Sequence, residues 1–193
     1  MTRRSQQEEE TKLRIAASTM ELHGTVGPAR TTISAVAEHA GVRRATVYRH
    51  YPDELALFTG CSSLWLANNP LPDMGRWAAI KDVNVRLRTA LDELYAFYRR
   101  THAMLTNLFR DEEAVPALKL VFAAFRQYMA AAQQLVQQDR QPSKTSKSQV
   151  NAVIGHALSF FTWRSFALEQ GLDNESIREL MVRLVDTAEN LKR

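Results

Sequence analysis

What most constrains this chain is an apolar repeat of three to four residues along almost its whole length, with no alternating β-branched run. Such a chain hides its apolar stripes by packing helix on helix. Glycine is scarce, at 7 of 193 residues. The expected class is therefore all-α, with about nine helices. A first helix is predicted over Gln6–His23, with Gly24 as its stop. A second runs from a Thr31 or Thr32 cap to about Ala40, and a short third covers about Arg43–His50. Pro52 restarts the chain, and a fourth helix carries Leu55, Phe58, Leu64 and Trp65. The stretch "NNPLPDMG", Asn68–Gly75, breaks the pattern. Trp77 leads into a long helix with Val83, Leu87, Leu91, Leu94 and Tyr98, followed by a shorter one with Met104, Leu105 and Leu108. Pro116 opens another helix, reaching Leu135. "QQDRQPSKTSKS", Gln137–Ser148, is a polar loop. Helices over about Gln149–Gln170 and Asn174–Leu191 close the chain.

The hydrophobic fraction of 45% suits a globular protein with a packed core. No apolar run approaches the ~18 residues of a membrane span, and the N-terminal residues lead into no apolar stretch, so no signal peptide is expected. Cys61 is the only cysteine; it can form no internal disulfide and fits a reducing, cytoplasmic setting. The net charge of +4 permits an anionic partner without requiring one.

The informative stretch is Thr32–Tyr51, "TISAVAEHAGVRRATVYRHY". Ile33, Val36, Ala37 and Ala40 share one helical face. Gly41 permits a sharp left-handed turn, Val42 can tuck under both helices, and Val47 faces inward. Two short helices joined at a glycine turn have helix-turn-helix anatomy. The second helix then presents Arg43, Arg44, Thr46, Tyr48, Arg49 and His50 outward, with no acid among them. Guanidinium groups bind phosphate or guanine, and hydroxyls bind phosphate oxygens. The inventory matches DNA. A lone basic stretch is usually a solvated face with surface ion pairs; the turn and the spacing argue otherwise here.

Thr32–Ile33, "VAEHAGV" and "TVYRHYPDELAL" together resemble the N-terminal domain of the TetR family of transcriptional regulators, over roughly residues 10–58. The resemblance implies a DNA-binding head over residues 1–52 and a ligand-binding and dimerisation part over residues 53–193. It implies a homodimer that represses by binding a palindromic operator on double-stranded DNA and is released by a small-molecule effector; no cofactor and no enzymatic activity are expected from the residues themselves. Carried over, Thr32 meets phosphate, Ala45 and Thr46 stand at base-edge positions, and Tyr48 and His50 stand at backbone-contact positions. Two residues depart from the family pattern. Arg43 stands where serine is common, losing a cap and gaining a charge. Glu54 stands where a lysine commonly grips phosphate. Glu54 also keeps open an alternative: a helical small-molecule-binding or interaction protein whose DNA head is weakened.

Elsewhere the signals are broader. Trp65, Tyr95, Tyr98, His102, Phe122, Phe125, Trp163 and Phe166 are either core or the lining of an apolar effector pocket. Val153, Ala157, Phe160 and Phe161, with Leu180 and Leu184 on the next helix, are either buried within the subunit or, as the resemblance implies, a dimer interface. His102 and His156 have no partner at metal-ligand spacing, so no metal site is expected. "TRR" at the N-terminus is either a basic arm toward DNA or part of a solvated start with Glu8–Glu10. No catalytic motif converges: G-x-S-x-G, P-loop, G-x-G-x-x-G and H-E-x-x-H are all missing.

Overall fold

The computed structural model describes residues 3–143 and 145–190. These form ten α-helices and no strand: α1 Arg3–Thr25, α2 Ile33–His39, α3 Arg44–His50, α4 Glu54–Asn68, α5 Met74–Ala78, α6 Val83–Asp111, α7 Pro116–Gln137, α8 Lys147–Leu158, α9 Phe160–Arg164 and α10 Asn174–Asn190. The all-α expectation holds. Contacts group the chain into two compact units, one of residues 1–70 and 101–125, the other of residues 71–100 and 126–193.

Four boundaries differ from the sequence reading, each for a physical reason. Gly24 lies inside α1, and the chain reverses at Gly27 instead, where φ is +94°. The Asn107 amide donates to the His23 and Gly24 carbonyls (3.0 and 2.9 Å), so the last turn of α1 keeps its acceptors satisfied past Gly24. The two helices expected over 83–98 and around 104–108 are one 29-residue α6, because no glycine or proline interrupts the stripe between them. The break after Asn68 contains α5, started by the Asp73 carboxylate, which accepts from the Gly75 N–H (2.9 Å). Finally, the helix expected over 149–170 is broken at Ser159.

That last break is held by named side chains. Ser159 is extended (φ −69°, ψ 136°) and ends α8 while capping α9; its hydroxyl accepts from the Phe161 N–H (3.2 Å). In a continuous helix the Ala157 and Leu158 carbonyls would receive the N–H groups of residues 161 and 162. Here they receive the hydroxyls of Tyr95 and Tyr98 instead (2.8 Å each). After α9 a single π-helical turn, Ser165–Glu169, completes the segment. Tyr98 also lies edge-on to Phe160 (5.4 Å between ring centres), and the Trp163 indole N–H donates to the Asn174 side chain (3.0 Å).

In the first unit the core joins α1, α2, α3 and α4 through Ile15, Val36, Ala37, Val47, Tyr51, Leu57 and Cys61. A second cluster joins Phe58 of α4 to Val115, Leu118 and Phe122. Gly60 is required by this packing: a Cβ there would overlap the Tyr51 ring, whose hydroxyl donates to the Lys12 carbonyl (3.2 Å). His23 is buried, with its ring 4.7 Å from that of Phe58 and Nδ1 3.8 Å from Cys61 Sγ. Burial pushes its pKa down to about 4, against a smaller opposing pull from Asp111. Burial likewise pushes the Cys61 thiol up to about 12, so it stays protonated.

Arg3 and Arg4 begin α1 as helix and form no arm; Arg4 pairs with Glu8 at 3.4 Å. Thr2 and Leu191, each included in a sequence expectation, lie outside the described residues. Among the described residues no helix is long and apolar enough to cross a membrane.

Two outcomes follow from these contacts. Tyr98→Phe leaves the buried Leu158 carbonyl without its donor and lowers unfolding stability by about 1–2 kcal/mol, read as a reduced urea midpoint. For His23 the unfolded chain binds the proton at pH 6.5 and the folded chain only near 4. Stability is therefore fully present above pH 6.5 and falls as pH drops from about 6.5 to 4. The difference in stability between the parent and His23→Gln shrinks by about 3 kcal/mol over that window, measured by denaturation at successive pH values.

Candidate nucleic-acid interface

The interface is built on α2, the turn and α3. Thr32 caps α2: its hydroxyl oxygen accepts from the Ala35 N–H (3.1 Å), which leaves the hydroxyl proton free to donate outward. At the far end the Val42 N–H donates to the Ala37 carbonyl (2.9 Å) and the Gly41 N–H to the Glu38 carbonyl (3.0 Å). The pairing five residues back, closed by Gly41 at φ +64°, is a Schellman-type stop. Val42 packs against the core beyond it, as its position in the sequence predicts.

Seven residues form α3, a rod about 10 Å long. Val47 is its one buried residue, with no exposed surface at all. Arg43 takes the N-cap position with no side-chain capping bond. Arg43, Arg44, Ala45, Tyr48 and Arg49 are exposed, and Thr46 is half-buried. The three guanidinium groups make no ion pair or hydrogen bond among the described residues, and neither does the Tyr48 hydroxyl. An ordinary solvated face laced with ion pairs is therefore not what α3 presents. It presents uncompensated positive charge and unused donors on a rod of major-groove size.

His50 stands apart from this set. Its ring is half-buried on the side of Glu8, Glu9 and Lys12, and Nε2 is buried with no hydrogen-bond partner among the described residues. Burial, then the neighbouring Arg49, lowers its pKa. Glu54 is exposed at the first turn of α4, behind the Asp53 cap, which accepts from the Ala56 N–H (2.7 Å). The Glu54 carboxylate has no ion pair among the described residues. Sequence reasoning missed the anchor behind α2. The Asp111 carboxylate accepts from the Ala29 N–H (3.0 Å), and Arg110 donates to the Val26 carbonyl (3.1 Å). Gly27 between them is needed, since a Cβ would overlap both side chains. The Arg110 guanidinium holds the Asp111 carboxyl below its ordinary pKa. A buried acid beside an arginine eighty residues along the chain leaves no local sequence signal.

The eight residues read as effector-pocket candidates do not form one lining. Tyr95, Tyr98 and Trp163 are fully buried, with their polar ends committed to Ala157, Leu158 and Asn174. Phe122 and Phe125 cluster with Phe109 in the first unit. His102 and Phe166 are half-buried. Trp65 borders a cavity with Met20, His23, Cys61 and Met104, of about 30 Å3, which is room for a water or two. The interface candidates divide as well. Ala157 and Phe160 are buried within the subunit and Val153 is half-buried, whereas Phe161, Leu180 and Leu184 are more than 40% exposed. Among the described residues no group of three His, Cys, Asp or Glu side chains comes together as a metal site.

Residues 15–60 match the family model described as bacterial regulatory proteins, tetR family. No curated protein matches the chain by sequence. Among solved structures, a TetR-like transcriptional regulator from Rhodococcus sp. RHA1 superposes with a TM-score of 0.63 at 16% identity, over 96% of this chain and 97% of that one. A TetR transcription regulator from Haloarcula marismortui superposes with a TM-score of 0.60 at 16% identity, over 93% and 98%. Residues 15–60 thus carry the TetR-family N-terminal domain, on a chain whose whole fold is that of TetR-like transcriptional regulators.

Proposed function

We propose that the chain is a sequence-specific DNA-binding repressor, homodimeric, responsive to a small-molecule effector, and cytoplasmic, with no catalytic activity and no cofactor. By role, we assign residues 1–52 to DNA binding and residues 53–193 to effector binding and dimerisation. The observation that carries the reading is the face of α3: Arg43, Arg44, Tyr48 and Arg49 exposed and with no ion pair or hydrogen bond among the described residues, behind a Gly41 turn. Arginines and the Thr32 and Tyr48 hydroxyls hold phosphates, and the start of α3, Arg43 to Thr46, meets base edges. His50, half-buried on the α1 side, supports α3 more than it contacts DNA.

Two copies of α3 about 34–36 Å apart would meet a palindromic operator. The exposed Phe161, Leu180 and Leu184, with Leu168 beside them in the chain, support a dimer surface. Effector response is supported by the small cavity beside Trp65, bordered by side chains of α1, α4 and α6. A ligand that enlarges it displaces α4, and α4 shares the Leu57–Val47 core with the recognition helix. Coupling of that kind needs two sites and one element with two positions.

Fluorescence anisotropy with a fragment of the protein's own upstream DNA tests the reading. Arg44→Ala weakens binding and lowers the slope of log K against log salt by about 1. Glu54→Lys strengthens it and raises that slope by about 1, because a repelled phosphate becomes a bound one. Binding equal to that of random DNA, unchanged by either variant, overturns the proposal and favours the alternative of a helical binding protein with a silent head. For the dimer, Leu184→Glu converts the particle to a monomer in light scattering; a parent that is monomeric at micromolar concentration refutes that part.

A further inference from the structure

A second, larger cleft lies within the DNA head, away from Trp65. Its volume is about 170 Å3, and its walls come from the end of α1, α2, α3 and the first turns of α4. The floor is apolar, made by Ile33, Val36, Leu57 and Phe58, while Tyr48 and Glu54 line it from α3 and α4. The Glu54 carboxylate and the Tyr48 hydroxyl are both without partners among the described residues. His23 also lines the cleft and is neutral at pH 7, so Glu54 supplies its only full charge.

An apolar floor with a single uncompensated carboxylate and a hydroxyl at its edge selects one chemistry. Neutral apolar ligands would leave the carboxylate unpaired, and anions would be repelled by it. An ammonium group can donate charge-assisted hydrogen bonds to it, while an attached apolar body covers the floor. At about 170 Å3 the cleft is smaller than a drug-sized pocket, which suits a compact ligand. We propose that this cleft is a binding site for a small organic ammonium ion carrying an apolar body, held by Glu54 and Tyr48 and lying over Ile33 and Leu57.

The proposal does not rest on DNA binding, and its test contains no DNA. The full chain, labelled with 15N, is titrated with phenethylammonium and, separately, with the uncharged 2-phenylethanol. Amide shifts are expected at residues 31–36, 48 and 54–58, with affinity for the cation about tenfold above that for the alcohol. Glu54→Gln, an exposed and conservative change, brings the two affinities to within about twofold, and Tyr48→Phe weakens the cation without altering the spectrum of the free protein. No saturable shift at those residues, equal affinity for the two probes, or a preference that survives Glu54→Gln overturns the site. Each of those failures leaves the DNA-binding reading standing.

Discussion

One buried valine holds the basic face of α3 in place. α3 is seven residues long, well short of the length at which a helix persists alone in water. Its arginines form no ion pair among the described residues. What chiefly fixes it is Val47, fully buried in the cluster of Ile15, Val36, Tyr51, Leu57 and Cys61, with the half-buried Thr46 and His50 beside it. With one fully buried side chain and two half-buried ones, the same packing that orders α3 turns Arg43, Arg44, Tyr48 and Arg49 to solvent. Gly60 belongs to this arrangement, because only a missing Cβ lets the Tyr51 ring lie against α4.

The start of α2 depends on a different kind of contact. The chain from Val26 to Thr32 has little apolar surface to bury, and its backbone groups are met by Arg110 and Asp111. Together with the Asn107 amide on the last turn of α1, three residues near the end of α6 satisfy a loop that would otherwise carry unpaired polar groups. That contact ties the head to residues distant in sequence, and gives α6 a direct hold on the segment that aims α2.

In the second unit, tyrosines play the corresponding part. The break at Ser159 exposes two carbonyls, and Tyr95 and Tyr98 supply the missing donors from the middle of α6. Their burial raises the pKa of both phenols, so they remain donors across the whole physiological range. Aromatic residues that read as pocket lining from composition alone are here part of the frame. Residue type identified them as buried, but not what their hydroxyls were for.

The sequence alone determined the helical class, the position of the helix-turn-helix and the basic character of α3. All of these follow from spacing along one helix or from one glycine at φ +64°, and local chemistry is legible in order. It also marked Arg43 as an absent cap and Glu54 as an unmatched acid. Only the tertiary structure decided that Gly24 is passed over and that Ser159 splits a helix, since each depends on side chains from elsewhere in the chain. It likewise decided which apolar residues are spent: Ala157 and Phe160 went inward, and Phe161, Leu180 and Leu184 stayed out. Periodicity tells which residues share a helix face, whereas burial depends on what that face meets, and that is settled by contacts between residues far apart in the chain.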